Sequence, residues 1–157
     1  MPTSNQAQQL KDFVDEIFEL SKAIWAAQSR SKGKDSQQEI SETEFLTLDL
    51  LTRSQPLTVG EIQRSIGVLP AQMSRVIRAL ESKGDEPLIA CKINLQDKRK
   101  IDVELTPSGE KAHQAYRQMK LGSIEKMLLG LSEHDRGEFM RILRLIREQM
   151  RKALASQ

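Results

Sequence analysis

The chain has 157 residues, of which 38% are hydrophobic and 29% charged; that is enough apolar material for one packed domain and too much for a disordered chain. Lys and Arg number 24 against 22 Asp and Glu, a formal net charge of +2, which excludes a polycation holding nucleic acid by total charge but leaves room for a focused basic patch. One cysteine, Cys91, excludes an internal disulfide; no secretory signal opens the chain and no apolar run approaches the ~20 residues of a membrane helix, so a cytoplasmic protein without membrane contact is expected.

The first predicted element is a long helix over about 8–30. Leu10, Phe13, Val14, Ile17, Phe18, Ile24 and Trp25 recur at helical spacing and make one broad apolar stripe. The polar run from Ser29 to Ser36 around Gly33 predicts a loop. Ser41 and Glu44 have the spacing of a capping box, with Ile40 and Phe45 as its hydrophobic staple; this second helix runs past Leu48 and Leu51 and stops before Pro56. The same grammar follows at once in Thr58 and Glu61, flanked by Leu57 and Ile62, and Gly67 ends this short third helix. Pro70 suits a first helical position, Met73, Val76, Ile77 and Leu80 form one apolar face, and Gly84 stops the fourth helix.

Two strands are predicted next, Leu88–Ile93 and the alternating Ile101-Asp102-Val103-Glu104-Leu105, joined by a polar turn as the only sheet. Thr106-Pro107 opens a long helix to about Gly130, and Ser132 with Asp135 caps a last one carrying Phe139, Ile142, Leu143, Ile146, Met150 and Leu154. The order α-α-α-α-β-β-α-α makes the protein mainly α.

Helices three and four, joined by a short turn with glycine, are a helix-turn-helix candidate. The outer face of the fourth helix offers Gln72, Ser74, Arg75 and Arg78, which suit base edges and phosphates in a major groove. The hairpin after it has Lys98, Arg99 and Lys100 at its tip, suited to phosphates or a minor groove. Charge is focused here: Gln63–Lys100 holds eight basic and four acidic residues. The whole reading requires the outer face of residues 70–83 and the tip at 97–100 to project from the same side of one compact unit.

On these residues the sequence resembles the MarR family of winged helix-turn-helix transcription regulators. The stretch from Glu61 to Arg75, continued by Arg78, Leu80 and Glu81, looks like that family's helix-turn-helix. Asp97-Lys98-Arg99, five residues, then Leu105-Thr106-Pro107-Ser108-Gly109 matches its pattern D-x-R, five residues, L-T-x-x-G. Leu69 stands where the family often has a capping serine, and Cys91 where it often has arginine. The resemblance implies a single MarR-like domain over 1–157, with a winged unit at about 40–106 bearing a two-stranded wing, and dimerisation helices at about 8–30 and 107–154. It implies a homodimer on a pseudo-palindromic operator, Ser74 and Arg75 in the major groove, Arg99 in the minor groove, and Asp97 orienting Arg99. It further implies a repressor released by a small-molecule effector.

Each feature has a plainer explanation. Arginines on a helix are usually solvated, and an Asp in a hairpin tip usually serves the turn. The spacing from Asp97 to Thr106 is what favours the DNA-binding reading over a winged protein–protein interaction module. Cys91 could serve a redox-sensing regulator, but sharing a strand face with Ile89 and Ile93 favours a buried, inert thiol. Phe13, Phe18, Trp25, Phe45 and Tyr116 could border a ligand, yet their helical spacing favours core packing. No nucleophile–base pair, phosphate loop or metal spacing is present, so neither an enzyme nor a cofactor or metal site is expected.

Overall fold

The structure, a computed structural model, describes residues 3–31 and 40–156. It divides into two compact units, Met1–Gln28 with Leu121–Gln157, and Ser29–Lys120.

The second unit holds the predicted winged core. Helix α2 (Glu42–Arg53) starts on a complete capping box: Glu44 N–H donates to Ser41 Oγ at 3.2 Å and Ser41 N–H to Glu44 Oε2 at 3.1 Å. After a cis Gln55–Pro56 peptide and strand β1 (Leu57–Thr58), helix α3 (Val59–Ile66) repeats the device with Thr58 and Glu61. Gly67 ends α3 at φ 78°, a left-handed conformation that side chains with a Cβ resist. Helix α4 (Pro70–Ser82) begins on Leu69, which has no capping side chain, and relies on Pro70 at its first turn.

Strands β2 (Ile89–Ile93) and β3 (Ile101–Leu105) form the wing, with Cys91 opposite Val103 and Ile93 opposite Ile101. The expected two-stranded sheet needs correction. Among the described residues the sheet has three strands in the order β1-β3-β2, with Leu57 opposite Val103 and Thr58 opposite Asp102. A two-residue strand lies below any periodicity signal, and Thr58 serves at once as strand residue and helix cap.

Burial follows the predicted faces. Leu48 and Leu51 of α2, Ile62 of α3, Met73 and Leu80 of α4, and Ile89 and Val103 of the sheet lie in one core cluster. Helix α5 (Pro107–Leu129) is tied to it at its start. Thr106 Oγ1 accepts from Gly109 N–H at 3.0 Å and donates to Pro87 O at 2.6 Å, and Thr106 N–H reaches Leu88 O at 3.2 Å. Further along α5, His113 is buried, 3.0 Å from Asp49 through Nε2 and stacked on Phe45 at 5.3 Å between ring centroids.

The first unit comprises helix α1 (Ser4–Ser31), the end of α5 and helix α6 (Glu133–Ala155). Helix α1 starts earlier than expected because Thr3 and Gln6 exchange hydrogen bonds across its first turn, Thr3 N–H to Gln6 Oε1 at 3.0 Å and Gln6 N–H to Thr3 Oγ1 at 3.4 Å. It also runs through residues 29–31, so the expected loop is displaced; its remainder lies outside the described residues. Ser132 caps α6, accepting from Asp135 N–H at 3.1 Å. Core packing accounts for Phe45 and Tyr116, whose ring centroids lie 4.8 Å apart, but not for Phe13, Phe18 and Trp25, which are 60–70% exposed. Helix α6 buries none of its residues.

Candidate nucleic-acid interface

The apolar stripe of α4 faces the core through Met73, Val76, Ile77 and Leu80, which turns Gln72, Ser74, Arg75 and Arg78 outward; all four are exposed. The helix thus presents two guanidinium groups and two shorter polar side chains along one solvent face.

The wing tip is organised by two short side chains. Asn94 Oδ1 accepts from the N–H groups of Gln96 and Asp97 at 2.9 and 2.8 Å, and its amide donates to Asp102 at 2.9 and 3.1 Å. Asp97 then accepts from Arg99 through the backbone N–H and Nε, both at 3.1 Å, and through Nη2 at 3.4 Å. The Arg99 side chain is 91% exposed, so this bond fixes the guanidinium without covering it. The same bond, followed by the Arg99 backbone N–H and the charge of Lys100, holds the Asp97 carboxyl below the usual carboxylate range. Lys98 and Lys100 are exposed beside it.

Helix and tip meet across one open cleft of about 620 Å³. Ser74 and Arg78 line it from α4, Arg99 and Lys100 from the wing, and Arg64 from α3. The reading from sequence required the helix face and the ribbon tip to share a side, and they do. Gln72, Arg75, Asp97 and Lys98 are outside this lining, on the helix and tip that flank it.

Arg64 was missed in the sequence. The signal available was its place one turn after Gly60 and Glu61, which also line the cleft. Two carboxylates, Glu61 and Glu81, temper its four cations. Glu61 is held low in pKa first by Thr58, whose backbone N–H donates at 2.7 Å and hydroxyl at 2.9 Å, then by the charges of Arg64 and Lys100.

Cys91 lines the same cleft and is half-buried rather than buried, because cover on its strand face fades toward the tip. Burial and then a hydrogen bond to Glu81 push its thiol up to about 12. A thiol so placed holds almost no thiolate at neutral pH, which argues against the redox-sensing reading.

A glycine-terminated helix pair with an exposed polar second helix, followed by a ribbon with a cationic tip on the same side, defines a winged helix-turn-helix protein. Residues 40–101 match the model of the MarR family. That is a family of transcription regulators and not of enzymes.

Among solved structures, YusO from Bacillus subtilis is 21% identical with a TM-score of 0.71, covering 94% of this chain and 99% of its own. FabT from Streptococcus pneumoniae, solved in complex with DNA, is 20% identical with a TM-score of 0.69 and the same coverage of 94% and 99%. PcaV from Streptomyces coelicolor, a transcriptional regulator solved with its natural ligand, is 16% identical with a TM-score of 0.59 over 94% of this chain and 98% of its own. At these identities the likeness is one of fold. No curated protein matches the sequence. Among the described residues, no helix is long and apolar enough to cross a membrane.

Proposed function

We propose that the protein is a sequence-specific regulator of transcription that binds double-stranded DNA as a cytoplasmic homodimer and represses its targets until a small molecule releases it. One observation carries this reading: Ser74 and Arg78 of α4 and Arg99 and Lys100 of the wing border a single cleft. A duplex lying across that face would meet α4 in its major groove and the tip in the adjacent minor groove. In this reading Gln72, Ser74, Arg75 and Arg78 read base edges, Lys98, Arg99 and Lys100 hold the backbone and minor groove, and Asp97 positions Arg99. The whole chain acts as one MarR-like domain, its winged unit at about 40–106 and its dimerisation helices at about 8–30 and 107–154. The exposed apolar faces of α1 and α6 favour a two-fold partner. Two reading heads ~34 Å apart would then select a pseudo-palindromic operator. The FabT complex with DNA and the PcaV complex with its ligand make both partners reasonable for this fold.

The test is selection of duplex DNA from a randomised pool by the purified protein, then affinity across a salt titration. Arg75→Ala and Arg78→Ala should relax sequence preference, each costing ~1–3 kcal/mol on the selected duplex. Lys98→Ala and Arg99→Ala should weaken selected and unselected duplexes more evenly than the helix variants do, and lower the salt slope by about 1 per lost phosphate contact. Parent and variants binding the selected duplex equally at every salt concentration would overturn the assignment.

A further inference from the structure

Along one face of β2 the apolar side chains lose their cover toward the wing tip. Ile89 is 1% exposed, Cys91 half-buried and Ile93 62% exposed, and Leu95, just beyond the strand, is 97% exposed. Ile101, opposite Ile93 in register, is also exposed. An apolar ribbon therefore leaves the core and ends in a leucine that contributes almost nothing to folding. Turns ordinarily use Gly, Pro, Asn, Asp or Ser, so a bare leucine here is not explained by turn chemistry.

Leu95 is also held firmly. Asn94, its neighbour, accepts from Gln96 and Asp97 N–H, donates to Asp102, and pairs its own N–H with Lys100 O at 3.0 Å. The leucine thus stands on a braced loop, with the exposed cations Lys98, Arg99 and Lys100 within five residues. Those cations would draw phosphates to the place where the apolar group is displayed.

We propose that Leu95 is an apolar wedge that packs into the minor groove of duplex DNA, against uncharged sugar and base edges, while the neighbouring cations engage phosphates. This rests on the DNA-binding reading above and adds to it a contact that no charge count reveals. Apolar side chains at minor-groove tips widen the groove or part a base step, so the wedge would favour sequences that deform easily there. Its contribution has a distinct signature. Apolar burial releases no counterions, so it should shift affinity without changing the salt slope.

The experiment uses the full-length protein and the duplex it enriches from a randomised pool, with affinity measured from about 50 to 300 mM KCl, a range in which phosphate contacts change affinity strongly. Leu95→Ala should bind about tenfold more weakly at every salt concentration with the parent's slope, as expected for losing part of one buried leucine. Leu95→Met should restore most of the affinity, and Arg99→Ala should reduce the slope instead. Because Leu95 lies outside the core, its variants should keep the parent's thermal unfolding midpoint, which separates contact from folding. Leu95→Ala within twofold of the parent, while Arg99→Ala weakens binding, would overturn the wedge, leave DNA binding standing and point the leucine to a protein partner. A Leu95→Ala loss accompanied by a reduced salt slope would also overturn it, showing a deformed tip. A parent that enriches no duplex would sink both readings together.

Discussion

At the tip of the wing, Asp97 accepts from three nitrogens of Arg99 and lies 4.0 Å from Lys100. It therefore does two opposed things: it orders Arg99 and it subtracts charge from the cationic tip. Asp97→Asn should separate them. Weak binding to unselected duplex at low salt should rise, because a negative charge is gone, while preference for the selected duplex should fall as Arg99 loses its charge-assisted anchor. Paired titrations of the two duplexes check this, and parallel changes on both would refute it. The pH dependence has a definite sign. A carboxyl whose folded pKa is depressed contributes stability above its ordinary value of about 4, and that contribution fades as pH falls through the lower, folded value. Asp97 and Glu61 both belong to this class. Urea unfolding midpoints should therefore drop on acidification below about pH 4, and Asp97→Asn should show a smaller drop.

Among the elements, those with local chemistry were readable from sequence. Ser41 with Glu44, Thr58 with Glu61, Gly67 and Ser132 mark helix ends through bonds to residues three or four positions away, and Pro70 does so through its fixed φ. What escaped depended on partners distant in sequence. Strand β1 exists only because Val103 and Asp102 come to meet it, and Arg64 and Leu95 matter only once α3 and the tip have been placed in space. The capping pair Thr3 and Gln6 was local and detectable, but no strong apolar residue follows it closely to draw attention to the start of α1. The glycine of the L-T-x-x-G pattern also gains a physical cause. A Cβ on Gly109 would lie 1.9 Å from Leu88 O and 2.9 Å from its carbonyl carbon, so the start of α5 packs directly on backbone. Gly109→Ala should destabilise the protein by ~1–3 kcal/mol or more, as overpacking against rigid backbone does, even though alanine favours helices. Denaturant unfolding measures it; an unchanged or raised midpoint would contradict the close approach.

For the whole molecule, the apolar matter left in solvent decides the state of assembly. Phe13, Val14, Ile17 and Phe18 on α1, and Ile142, Leu145, Ile146 and Met150 on α6, are all between 44% and 64% exposed. Isolated exposed apolar residues are ordinary, but runs of them on long helices are not. The 17.8 kDa chain should sediment at about twice its mass. Ile17→Glu should shift it toward the single chain while leaving the winged unit folded, and selected-duplex affinity should fall because two half-sites are no longer read together. A parent sedimenting as a single chain would remove the basis for the paired-site argument.

The two-residue pairing of β1 with β3 has a mechanical consequence. Leu57 and Thr58 pair with Val103 and Asp102 halfway along the ribbon, and Thr58 is also the cap from which α3 departs. Leu105 N–H is further fastened to Gln55 Oε1 at 2.8 Å. The segment from Gln55 to Thr58 therefore ties the ribbon to the start of the helix pair. If the chain binds DNA as proposed, a signal that released it would have to move the helix pair and the ribbon together, because both hang from this one segment.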